Sequence, residues 1–188
     1  QVEITLPPEK KGEQETKVFG DAFVFEQEKE DFSTQSGVKI VQGDKWIRAA
    51  EGIYRKQDET LTLSGNVQVE MTKAESLLSE ARLREIKNKE ILAGLRMPTR
   101  LMAKKVFIKP KSRAVRALGE VLVTQKNRMA RAEEAAYDPE TEVITLLHQV
   151  EVKKENGDWV KAKKALVNIA DQTFEALGVE ESKILLKK

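Results

Sequence analysis

His148 is the only histidine in the chain and cysteine is absent, so thiolate nucleophiles, disulfides and His/Cys zinc sites are all missing from its chemistry. A metal would have to be held by carboxylates alone. There is no glycine-rich phosphate loop and no G-x-S-x-G turn that would expose a serine nucleophile. The adjacent acid pairs Glu133/Glu134 and Glu180/Glu181 would point to opposite faces of a strand, where they solvate a surface and cannot converge on a substrate. The expectation is a protein that is not an enzyme, with no catalytic residues, no cofactor and no metal.

Charge is the next candidate. The net charge is +2, too small to imply a polyanion partner, but its distribution is uneven. Between residues 95 and 132, Arg96, Arg100, Lys104, Lys105, Lys109, Lys111, Arg113, Arg116, Lys126, Arg128 and Arg131 face a single acid, Glu120. By contrast, "FEQEKED" at 25–31 is acidic. Phe107 is the only aromatic side chain in the basic stretch, so no platform for stacking bases is present and nucleic acid is not expected as a partner. The basic stretch reads either as a solvated strand surface whose cations discourage aggregation or as a face for an anionic ligand or membrane surface.

The elements that would carry these residues are short strands. "TLTLSGNVQVE" at 60–70 alternates apolar and polar residues, breaks at Gly65 and alternates again. The phrase returns as "ALGEVLVTQ" around Gly119, as "LLHQVEVKK" with His148 in the glycine slot, and, offset by one, as "QSGVKIVQ". Upstream of each break lies a small residue: Ala50 before Gly65, Ser79 before Gly94, Ala103 before Gly119, Ala132 before His148 and Ala162 before Gly178. The spacing implies about five units of two short strands with a period of roughly 25 to 30 residues. Turn chemistry supports the reading, with Asp138-Pro139-Glu140 in one connection and Asn156-Gly157 in another. Strands joined so tightly are antiparallel.

Residues 74–92, "AESLLSEARLREIKNKEIL", are rich in good helix formers, but their ends align with the repeat, and they are expected to be largely strand. "RAEEAA" at 131–136 poses the same conflict. Aromatics make up only 5% of the chain, so its interior must be Val, Ile, Leu and Ala. No apolar run approaches the roughly 20 residues that span a bilayer. The chain starts at Gln1 and not Met, as expected either of a processed mature protein, with a signal peptide or N-terminal anchor removed, or of a trimmed chain. The expected organisation is a flexible segment over 1–19 and one all-β domain over 20–188.

The phrases "LTLSGNVQVE", "ALGEVLVTQ…ARAEEAAYDPETEVITLLHQVEV" and "GDWVKAKKALVNIADQTFEALG" together resemble the OstA-like family over residues 37–178. That family includes the periplasmic lipopolysaccharide-transport proteins of Gram-negative bacteria. The resemblance implies an open, twisted β-jelly roll whose apolar groove shelters the acyl chains of lipopolysaccharide, and which joins related domains end to end. Val38, Ile40, Leu61, Leu63, Val67, Val69, Val121, Val123, Val150 and Val152 would line such a groove, with Arg96, Arg100, Arg113 and Arg116 meeting lipid phosphates. Expected partners are lipopolysaccharide, β-jelly-roll domains of the same pathway and further copies of the chain, in the periplasm.

An unclosed stack leaves its outer strands unpaired, and these are expected to assemble. Phe23 and Phe25 at one end and Ile184, Leu185 and Leu186 at the other would form the contact, with the acidic run at 26–31 attracting a basic C-terminal end. The alternative is a structural β-repeat module that assembles through the same edges without lipid cargo. A trough open to solvent favours transport, and a packed interior favours the module.

Overall fold

The computed structural model of the chain describes residues 2–7, 14–171 and 173–184. Among them the alternating segments form fourteen strands of one antiparallel sheet. In chain order these are β1 (Val2–Leu6), β2 (Thr16–Gly20), β3 (Val24–Glu26), β4 (Asp31–Thr34), β5 (Val38–Gln42), β6 (Lys45–Ala49) and β7 (Glu51–Arg55). They continue as β8 (Thr60–Met71), β9 (Thr99–Lys109), β10 (Ala114–Gln125), β11 (Arg128–Asp138), β12 (Val143–Lys154), β13 (Trp159–Asn168) and β14 (Thr173–Lys183).

The repeat unit is a bent hairpin. In β9–β10, β11–β12 and β13–β14 both arms are continuous; β6 and β7 together form the first arm against β8, and β2 with β3 does the same against β4 with β5. Four-residue turns close these units at 27–30, 56–59, 110–113 and 139–142, and the fifth follows Asn168. β1 adds one further strand beside β2. Its pairing, and that of β2, gives sheet structure to residues 2–6 and 16–19 of the segment 1–19 that was expected to be flexible.

Each unit bends at the residue read as punctuation. Between the pairs Ser64/Lys105 and Val67/Ala103, β8 has two residues, Gly65 and Asn66, opposite one on β9. Both take positive φ, 79° and 52°, and the same double left-handed step recurs at Gly119/Glu120 and His148/Gln149. Such bulges bend a strand and increase its twist. The inward side chains record the corner: Ala103/Val106, Ala132/Ala135 and Ala162/Ala165 are all buried although an odd spacing puts residues on opposite faces of a straight strand. The sheet therefore folds along the line of bulges into two walls around one core, made largely of Leu63, Val67, Val106, Val121, Leu146 and Val150 with the alanine column between them.

Residues 74–95 depart from the expected strands. They form a 3₁₀ turn (Ala74–Leu77) and two helices, α1 (Glu80–Glu85) and α2 (Lys89–Leu95). Local signals favour this: the Arg82 amide donates to Ser79 Oγ at 3.2 Å, and the Ile91 amide donates to Asn88 Oδ1 at 3.4 Å, both N-cap bonds. Topology removes the competing state. β8 pairs with β6 and β7 on one side and β9 on the other, and β9 pairs with β8 and β10, so the segment has no free sheet edge beside it. Gly94, read as a punctuation glycine, lies in α2 and not at a corner.

Candidate lipid-binding interior and assembly edges

The ten residues expected to line a groove all face the interior, at two depths. Val38, Ile40, Leu63, Val67, Val121 and Val150 are buried in the core, and Leu61, Val69, Val123 and Val152 pack half-buried against it toward the open ends of the walls. The alanines expected to leave width instead interlock with the valines: Val67 pairs with Ala103, Val121 with Ala132 and Val150 with Ala162. The centre of the jelly roll is a packed core, and the half-buried row marks its mouth.

The 3₁₀ turn and helices lie across that mouth. Lys45, beside the first residue of β9 through Met71, donates from Nζ to the Ser76 carbonyl at 3.1 Å; Arg113, just beyond the last residue of β9, donates to the same oxygen at 3.1 Å. A straight strand of that length would hold its ends roughly 35 Å apart. The corner thus brings both walls to one atom of the helical segment. Tyr137 Oη donates to the Leu77 carbonyl at 2.7 Å from one wall, and Gln125 Nε2 to the Gly94 carbonyl at 3.3 Å from the other. Burial pushes the Tyr137 hydroxyl up to about 12, with Glu142 and Asp138 adding to the shift and Arg113 opposing it. Ala74, Leu78 and Leu95 are buried with Ile169 and Ala170 in a second cluster. Sequence reading missed this cluster, and the two N-caps with Ile91 and Leu95 at helical spacing were the signal for it.

The four candidate phosphate ligands do not converge. Arg100 and Arg116 alternate with the inward Leu101 and Ala117 and so project from the outer face. There Arg100 pairs with Glu70, and Arg116 makes a two-pronged bond to Glu134 at 2.7 and 3.0 Å, which holds the Glu134 carboxyl below its usual range. Arg96 and Arg113 stand at the mouth beside one another's partners, Arg96 Nε on Glu75 at 3.3 Å and Arg113 on Ser76.

The edges are clearer. At one end, among the described residues, β14 has a partner only in β13, and Phe174, Leu177 and Val179 are exposed along it. At the other end the two walls finish separately, in β1 with exposed Val2 and Leu6 and in β3 with exposed Val24 and Phe25. Phe25 stacks on Phe32 of β4 with centroids 4.5 Å apart. Phe23 is not part of this edge; it is half-buried against Gly20, where an added Cβ would come within 2.8 Å of its ring. Ile184 is exposed just past β14, and Leu185 and Leu186 lie outside the described residues. Glu175, Glu180 and Glu181 against Lys183 make β14 acidic, so the described residues do not supply the basic end expected opposite 26–31.

Comparison with known proteins gives this architecture a context. Residues 42–155, from the last residue of β5 to just past β12, match the family described as lipopolysaccharide-assembly, LptC-related. The match covers more than half of the chain. The chain belongs to the LptC-related family. A solved structure of LptH, the LptA-homologous periplasmic component of the lipopolysaccharide transport device from Pseudomonas aeruginosa, is similar at a TM-score of 0.57 and 12% identity, covering 74% of this chain and 94% of that one. At that identity the likeness concerns the fold: the open β-jelly roll that the family resemblance implied. No curated protein matches the LptC-related chain in sequence. Membership makes it a non-enzymatic component of lipopolysaccharide transport. No helix among the described residues is long and apolar enough to cross a membrane.

Proposed function

We propose that this LptC-related chain works in the periplasm as one segment of an end-to-end β-jelly-roll bridge that carries lipopolysaccharide between the inner and outer membranes, its acyl chains sheltered at the apolar mouth. The observation that carries the proposal is the pair of unclosed ends in a member of this family: β14 at one, β1 and β3 at the other, each exposing apolar side chains beside unpaired backbone. Strand addition satisfies both at once. The ends differ, so contact between copies or related domains is head-to-tail and does not close on itself.

Acyl chains crossing water lose about 0.8 kcal/mol per exposed methylene, so a continuous apolar row lowers the barrier along the path. Val69, Val123 and Val152 lie in one such row along one wall, joined through Leu101 and Ala130, with Leu61 on the other wall, and Arg96 and Arg113 are the rim cations placed to meet phosphate, each by releasing its present partner. Photocrosslinking from Val69 and Val123 tests the proposal. Lipopolysaccharide adducts at both, and none from the outward Arg116 position, are expected; equal labelling everywhere or none at all overturns it. One observation favours the alternative of a cargo-free assembly module: the middle of the jelly roll is packed, with Leu63, Val67 and Val106 wholly buried.

A further inference from the structure

We infer that residues 74–95 form a strap across the mouth of the jelly roll, so that lipid reaches the apolar rim of the walls only by displacing it. The inference rests on the lipid-binding reading above.

The strap is an insertion. Turns of successive units begin at residues 27, 56, 110 and 139, and the gap holding the strap is nearly twice the other two. β8 and β9 pair directly from Met71/Thr99 onward, so the sheet is continuous without it. It spans the mouth from wall to wall through Lys45 and Gln125 on one side and Arg113, Tyr137 and Glu142 on the other, with the Arg82 guanidinium 3.1 Å from Glu142 and 3.2 Å from Asp171. These contacts run from β6 to the turn before β14.

Beneath it lies surface of the kind an acyl chain needs. Leu77, Leu78, Leu83, Ile91 and Leu95 pack on Met71, Ile144, Ile169 and Ala170, and Ile144 also belongs to the packing of the main core. The strap's aliphatic side chains are chemically interchangeable with lipid methylenes, while its outward residues, Glu80, Arg84, Glu85, Lys87 and Lys89, are exposed to solvent. It is also built to leave. Helices of six and seven residues are too short to persist alone, so the strap is held by its contacts with the walls, of which the apolar ones are the kind that acyl chains can replace. Apparent lipid affinity is then the intrinsic affinity reduced by the fraction of molecules with the strap open.

The test compares the full chain with a variant in which residues 73–97 are replaced by a short Gly-Ser turn joining β8 to β9, using cis-parinaric acid and purified lipopolysaccharide as probes. At least tenfold tighter binding by the shortened variant is expected. In the full chain, amide exchange over 80–95 should rise when lipopolysaccharide is added while β8 and β9 stay protected; this measurement decides the matter if the variant fails to fold. Equal binding by both chains, or a strap that becomes more protected with lipid, overturns the inference and leaves the lipid-binding reading standing. Binding by neither chain overturns both.

Discussion

The corner residues are where a single side chain has the clearest energetic meaning. His148 sits at φ 62°, fully in the left-handed region that costs a non-glycine residue roughly 1–2 kcal/mol. It is exposed and has the slot that Gly65 and Gly119 fill in neighbouring units. Replacing His148 with Gly is therefore expected to stabilise the protein by up to about 1 kcal/mol, the gain in the fold exceeding the entropy that glycine adds to the unfolded chain. A higher urea midpoint with unchanged slope would report it. The reverse substitution, Gly65→Ala, places a Cβ 2.5 Å from that of Ala50 at φ 79°, and a loss of at least about 1–2 kcal/mol is expected in the same assay. At Leu63, wholly buried, truncation to Ala should cost about 2–5 kcal/mol.

At the scale of elements, the strap and β11 pose the same sequence problem and solve it oppositely. "RAEEAA" has strong helix formers, yet lies in β11 because Ala132 and Ala135 fill narrow positions opposite Val121, Ala117 and Leu146. The strap has no strand beside it to offer such pairs. Its hold on the wall through Tyr137 has a pH signature. Because the folded hydroxyl titrates near 12 and the unfolded one near 10, its contribution is complete below pH 10 and is lost as pH rises from 10 to 12. Stability against urea should thus fall more steeply across that window in the parent than in Tyr137→Phe, which lacks the group. Converging curves for the two proteins at all pH values would show that Tyr137 is solvated. Ser79→Ala and Asn88→Ala should each loosen the strap by about 1 kcal/mol, seen as faster amide exchange over 80–95.

For the whole molecule, the two ends decide whether it works alone. Head-to-tail addition should make apparent mass rise with concentration in light scattering, and Leu177→Lys with Val179→Lys on β14 should hold the protein monomeric, since charge on an edge opposes pairing. A parent that stays monomeric throughout and binds no related β-jelly-roll domain would remove self-assembly from its function. Mixing subunits altered only on β14 with subunits altered only on β3 at Val24 and Phe25 should restore dimers, because each pair keeps one intact interface.

The sequence by itself determined the strand period, the two-strand unit and the places where its alternation breaks, because alternation and its interruption are local properties of a few consecutive residues. Gly65, Gly119 and His148 were legible as breaks for that reason, as was the inward side of all ten candidate groove residues, while the corner that each break makes was not. Depth was not legible: Val67 and Val69 have the same inward parity, and only the closing of two walls makes one buried and the other half-open. Nor was the strap, since residues 79–94 are spaced like a repeat, and what denied them a strand was the occupation of both neighbouring edges by β6, β7 and β10. The same holds for the arginines, whose separation between mouth and outer face follows from pleat and corner together. Periodicity is written in the chain, but which edges are free and which side chains meet depends on contacts between residues far apart in it, and those exist only once the sheet has folded over.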